Sequence, residues 1–239
     1  MGEHAGTQDL DAVALERAVL RRCALGYALK YPWIRVLDLG CGLGDTLAGL
    51  PRQTGVGLDR SEAMISGAQA RHADRPDLAW RQVDITGPWP ADLGQFDVIY
   101  TQRSLINVPP DAVASVIQQA ARHVRVGGSV VAIENSRQGL DALNRWRGRV
   151  GVPAIIAPWH NVYLDEPSMA ALAVPGAVLK EAAVDYSSTY YFASRVLAAW
   201  WAHQRGRSPA YGSWINRLAV RLPVMGRCGQ GRYWRWERQ

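Results

Sequence analysis

Between Trp33 and Asn135 five short runs of β-forming residues, IRVLDLG, TGVGLDR, LAWRQVDI, FDVIYTQ and GGSVVAIEN, alternate with helical stretches. Parallel strands need a crossover of a dozen residues or more, normally a helix, so this rhythm predicts βαβ units and a parallel sheet with helices on both faces. The punctuation agrees: Ser61 stands as N-cap before a helix to Arg71, and Pro109-Pro110 and Gly127-Gly128 bracket a helix over Asp111 to Arg125. Ahead of the series, Asp9 to Leu29 carries apolar residues near helical spacing, which predicts a helical lead-in within residues 1–31. After it, GAVLKEAAVDY reads as a sixth strand, Ser188 to Gln204 as an apolar, aromatic helix, and GRYWRWERQ as a last strand closing an antiparallel edge. The expected fold is α/β, a seven-stranded mixed sheet in one domain over residues 32–239. A segment at about 136–180, where the rhythm breaks, is expected to cap the strand ends.

The chain has 239 residues, 48% of them hydrophobic, enough for one substantial core. Its net charge of +6 is carried almost wholly by arginine, since Lys30 and Lys180 are the only lysines. Cys23, Cys41 and Cys228 are odd in number and far apart, which argues against a disulfide framework or a zinc knuckle and for a reducing compartment. With no apolar leader and no charge-free window of membrane-spanning length, the expected location is cytoplasmic.

The sharpest local signal is DLGCGLGD, in which Gly40, Gly42 and Gly44 follow the first strand at alternate positions. Glycines there let the backbone turn tightly and approach a ligand, and the next helix offers unpaired N–H groups. The spacing G-x-G-x-G departs from the G-x-G-x-x-G of dinucleotide sites, and Asp38 and Asp45 add negative charge where a pyrophosphate needs the opposite. Asp59 closes the second run, where a carboxylate can accept both ribose hydroxyls. Met64 is placed to lie on an adenine face, and Asp84 to receive the adenine amino group between Val83 and Ile85.

In order, LDLGCGLG, GLDRSEAM, RQVDI and FDVIYTQRSLINV resemble the successive motifs of class I S-adenosylmethionine-dependent methyltransferases, over residues 33–134. That resemblance implies a Rossmann-like sheet, S-adenosylmethionine as methyl donor, and cofactor contacts from Asp38, Gly40, Cys41, Gly42, Gly44, Asp59, Arg60, Met64, Val83, Asp84, Ile85 and Gln102.

Methyl transfer is an in-line displacement, so the acceptor half must align a lone pair and exclude water. Gln102 and Arg103 stand at the lip after the fourth strand, where the methyl should emerge, and are the candidates for contact with the acceptor, Arg103 as a candidate catalytic residue. YTQRSLINVPP lacks the Pro-Pro-aromatic tetrad of methyltransferases acting on exocyclic amines, and has no carboxylates to hold a hard cation, so no metal is expected. In APWHNVYLDEP, His160 is the candidate general base, with Tyr163 beside it. A looser resemblance over residues 134–202, to methyltransferases of bacterial surface-glycan and secondary-metabolite genes, implies O-methylation of a sugar or other polar small molecule. In that picture Arg137, Arg145, Trp159, Tyr190, Tyr191 and Arg195 line the acceptor pocket. Three rival readings stand: an RNA methyltransferase using the arginines and tryptophans near the C-terminus, an N-methyltransferase of a small amine, and a non-catalytic cofactor binder. The preferred reading expects no nucleic-acid partner and no membrane span, and a homodimer is compatible with it.

Overall fold

A computed structural model describes residues 9–28, 33–51, 53–208 and 213–239. Helix α1 (Leu10–Ala28) leads into strand β1 (Ile34–Leu39), a short α2 (Asp45–Ala48), β2 (Gln53–Asp59), α3 (Glu62–Arg71) and β3 (Leu78–Gln82). Strand β4 (Phe96–Gln102) is followed by a 3-10 turn (Leu105–Asn107), α4 (Pro110–His123) and β5 (Val124–Asn135). Then come α5 (Arg137–Arg149), α6 (Glu166–Ala170) and β6 (Ala177–Asp185). Helices α7 (Ser188–Tyr191) and α8 (Ala198–His203) are joined by a π-helical turn (Phe192–Leu197), and α9 (Trp214–Ala219) precedes β7 (Gly231–Arg238).

The sheet has seven strands in the order β3-β2-β1-β4-β5-β7-β6. Strands β1 to β5 are parallel, and β7 runs antiparallel to both β5 and β6. The expected sheet is present with one correction: β7 is not the edge. It enters between β5 and β6, and Tyr233, Trp234 and Trp236 are buried at 1% exposure or less. Trp234 and Trp236 face one core and Tyr233 the other, while Arg235, on the Tyr233 side, is half-buried and pairs with Glu181; β6 takes the edge of the sheet and alternates between half-buried and exposed residues over its first six positions.

Side chains alternate between two cores, as pleating requires. Leu37, Leu39, Leu58, Ile99, Ala132, Trp234 and Trp236 pack against Val113, Val116, Ile117 and Ala120 of α4. Ile34, Val36, Val98, Tyr100, Val131, Ile133 and Tyr233 pack on the opposite face against Val19, Leu20 and Ala24 of α1 and Ile65 and Ala68 of α3. Helix α1 is thus a layer of the domain as well as a lead-in. Its buried stripe runs Ala12, Glu16, Leu20, Ala24, an i, i+4 series with one carboxylate in it.

Candidate active site

The chain order reverses direction between β1 and β4, the topological switch point at which open α/β sheets bind ligands. A crevice of about 970 Å³ lies there, at the carboxyl ends of β1, β2 and β4. The glycine turn forms its floor. Gly40, Gly42 and Gly44 have φ of 81°, 52° and 79°, the left-handed region that glycine occupies without a Cβ penalty, which accounts for all three alternate positions. The amides of Gly40 and Cys41 both donate to the Leu58 carbonyl, at 2.8 and 2.9 Å, tying the turn to the end of β2. A Cβ on Gly40 would lie 2.4 Å from Ser104 Cβ, whereas one on Gly42 would meet nothing within 4 Å, so Gly42 faces open space in the crevice wall.

Asp59 braces that wall: its carboxylate accepts from the Gly42 amide and the Ser61 amide, each at 2.9 Å. Asp84 lies two residues past β3 and accepts from the Thr86 amide and hydroxyl, which hold its carboxyl below the usual range. Cys41, Arg60, Met64, Val83, Ile85 and Gln102 also line the crevice. A wall with a backbone cradle at one end, a strand-end carboxylate at its middle and Met64, Val83, Asp84 and Ile85 at the other fits the amino acid, ribose and adenine parts of S-adenosylmethionine.

Asp38 departs from expectation. It is buried beneath the turn rather than on the wall, and Tyr100 donates to it at 2.5 Å across the β1–β4 pair. Burial pushes its carboxyl up to about 7, with Tyr100 opposing and Asp59 adding to the rise. Asp45 does line the crevice, but pairs with Arg71 at 2.7 Å. The negative charge read from these two acids is therefore largely muted.

The far end of the crevice is built by a residue the sequence reading missed. Glu16 of α1, 2% exposed, accepts from Gln102 Nε2 at 2.6 Å and from Arg103 Nε at 2.7 Å, and lies 2.5 Å from an Arg103 terminal nitrogen. The Tyr186 hydroxyl reaches the same carboxylate at 3.4 Å. Burial alone would lower the Arg103 pKa, but Glu16, with Tyr191 and Tyr186 adding to it, outweighs burial and raises it, so the guanidinium stays charged. Arg103 adopts φ 53°, a strained conformation for a long side chain, and is pinned by its own amide to the Ile133 carbonyl and by Asn107 Nδ2 to its carbonyl. The one available signal for Glu16 was an acid standing on the apolar stripe of the first helix.

The segment expected to cap the strand ends stands at the mouth of the crevice and not on its wall. No residue of 136–180 lines the crevice, and Leu10, Val13, Glu16 and Arg17 of α1 do. The segment instead docks beside the mouth: the Val162 amide donates to the Ile106 carbonyl at 2.7 Å, and Asn161 Nδ2 to Asn107 Oδ1 at 2.7 Å. His160 is exposed on that segment, edge-on to the Trp159 ring, and is not part of the wall. Tyr163 is half-buried and within the field of Arg103; burial raises its pKa, leaving a neutral phenol. Tyr190 and Tyr191 are buried in helix packing, Arg195 pairs with Asp9, and Arg145 and Trp159 lie outside the crevice.

Residues 36–128 match the family described as Methyltransferase domain. The matched stretch runs from β1 to the middle of β5 and contains the glycine turn, Asp59, Asp84 and the crevice at the switch point of the sheet, so the similarity to methyltransferase domains falls on the residues that build the crevice. Among curated relatives, a trans-aconitate 2-methyltransferase of Deinococcus radiodurans is 35% identical over 108 residues, covering 43% of this chain and 38% of that protein. A 2-phytyl-1,4-naphtoquinone methyltransferase of Synechococcus elongatus is 29% identical over 175 residues, covering 70% of this chain and 66% of that protein. The chain spans less than two thirds of the length of both. Among solved structures, an S-adenosylmethionine-dependent methyltransferase from Clostridium acetobutylicum superposes with a TM-score of 0.58 at 12% identity, covering 91% of this chain and 89% of that one, a likeness of fold.

Proposed function

We propose that this chain is an active methyltransferase that O-methylates a hydroxyl of a sugar or another polar small molecule. S-Adenosylmethionine, when bound, supplies an electrophilic methyl group. The observation that carries the proposal is the continuity of the cofactor cradle with a polar end wall of Gln102, Arg103 and Glu16. Rigidly held donors suit the fixing of a polar acceptor for in-line attack, because orientation supplies most of the rate in such a transfer. At that end Glu16 is the carboxylate, and donors from Gln102, Arg103 and Tyr186 already engage it, which makes it a clamp on those side chains. Helix α1 excludes water from the wall it covers, strengthening these contacts. The curated relatives are named for a small polyacid and a quinone, and a small-molecule acceptor is the common element carried over.

The test is calorimetry with S-adenosylhomocysteine, followed by transfer of labelled methyl to a panel of saccharides and hydroxylated acids, with the methylated atom located by mass spectrometry. Product on oxygen is expected. Absence of S-adenosylhomocysteine binding, methyl found on nitrogen, or transfer to RNA alone would overturn the proposal. With His160 outside the wall, His160→Ala is expected to leave turnover within a few-fold. A loss of about a hundredfold with cofactor affinity intact would return the base to the rim.

A further inference from the structure

From residue 186 to residue 236 the sequence contains no aspartate or glutamate, while arginines recur through it. Part of this stretch builds a surface that shares no lining residue with the crevice. Trp146 of α5 and Leu197, Leu222 and Met225 line one apolar groove of about 590 Å³, all at least 40% exposed, with Arg145, Arg149 and Arg227 on its walls. Beyond the groove, Trp200 and Trp201 follow Leu197 at i+3 and i+4 and are 41% and 54% exposed, extending the apolar surface along the helix. Arg149 stacks on Trp146 and Arg205 on Trp201, with the guanidinium 4.6 and 3.7 Å from the ring centre. Helix α5 adds a single acid, Asp141.

A soluble domain seldom leaves large aliphatic and indole side chains exposed together without an occupant. The chemistry selects among occupants. A second copy seated on this face would set arginine against arginine with no acid between 186 and 236 to pair with it. Nucleic acid would use the arginines and indoles but leave Leu197, Leu222 and Met225 uncovered. An anionic bilayer surface uses all three: aliphatic tips enter the acyl boundary, indoles sit at the headgroup level, and arginines meet lipid phosphates. We infer that this face, formed by α5, the π-helical turn with α8 and the 222–227 loop, docks the protein peripherally on an anionic lipid membrane. No helix among the described residues is long and apolar enough to cross a membrane, so the attachment is interfacial. The inference does not depend on the acceptor's identity.

The intact protein is sedimented with phosphatidylcholine vesicles containing about one third phosphatidylglycerol, and with pure phosphatidylcholine vesicles, where at least about tenfold stronger partitioning to the anionic vesicles is expected. Trp201→Glu with Met225→Glu, both at exposed positions, is expected to cost at least about tenfold in partitioning while S-adenosylhomocysteine affinity and Tm stay at the parent values. Arg149→Gln with Arg227→Gln is expected to reduce the anionic preference by about fivefold per charge. Absence of partitioning at low salt, or an unchanged double variant, would overturn the inference. So would binding of a single-stranded RNA probe or self-association that the same substitutions abolish while vesicle binding is absent.

Discussion

Glu16 gives the sharpest test of how α1 completes the crevice. The carboxylate is 2% exposed and holds Gln102 and Arg103, with Tyr186 at longer range. Removing one partner of a buried ion pair typically costs about 3–5 kcal/mol, because the surviving charge keeps its desolvation penalty. Arg103 retains 21% side-chain exposure, which places Glu16→Ala at the lower end, about 3 kcal/mol. Glu16→Gln keeps the volume and loses the charge, so a loss nearer 2 kcal/mol is expected, the scale of a hydrogen bond to a charged group. Urea unfolding at neutral pH of both variants, of Arg103→Leu and of the double variant closes a cycle in which a coupling above about 1.5 kcal/mol is expected. Calorimetry with S-adenosylhomocysteine then reads whether the wall is still in place. A Glu16→Ala variant within about 0.5 kcal/mol of the parent, or a coupling near zero, would refute the reasoning.

The glycine turn separates folding from binding: Gly42→Ala should cost only about 1 kcal/mol of stability, since its Cβ meets nothing, yet weaken S-adenosylhomocysteine binding. Gly40→Ala should destabilise more, as its Cβ runs into Ser104; equal stabilities by urea unfolding would contradict the geometry. Asp38 and Glu134 each have a carboxyl pushed up to about 7 by burial. Between the ordinary carboxylate range and about 7 the folded state therefore holds protons that the unfolded state has released, so stability falls as pH rises across that window and levels off above it. Asp38→Asn should flatten the slope in urea unfolding at a series of pH values, and an unchanged slope would argue against this burial effect.

Much of the domain was legible along the chain because local signals and burial agree there. Strands buried on both faces must be continuous apolar runs, so β1, β2, β4 and β5 announce themselves. The three glycines announce a turn that only left-handed residues can make. Asp59, Asp84 and Met64 follow because the ends of parallel strands have to meet at one crevice edge.

Only the tertiary structure decided which element covers that crevice. A helix preceding the sheet and an insertion after β5 are equally able to cap it on paper, and packing of Val19, Leu20 and Ala24 on the sheet face gave the place to α1. The position of β7 was beyond local reading for a similar reason: alternation states how many faces are covered, while neighbours are set by long-range pairing with β5 and β6. Glu16 and Arg103, distant in sequence, become one device because an inward-facing turn of α1 meets the strained residue after β4. The sequence by itself determined the glycine cradle, whose chemistry is local backbone geometry; the fold decided the Gln102–Arg103–Glu16 end wall, whose chemistry is a contact between distant segments.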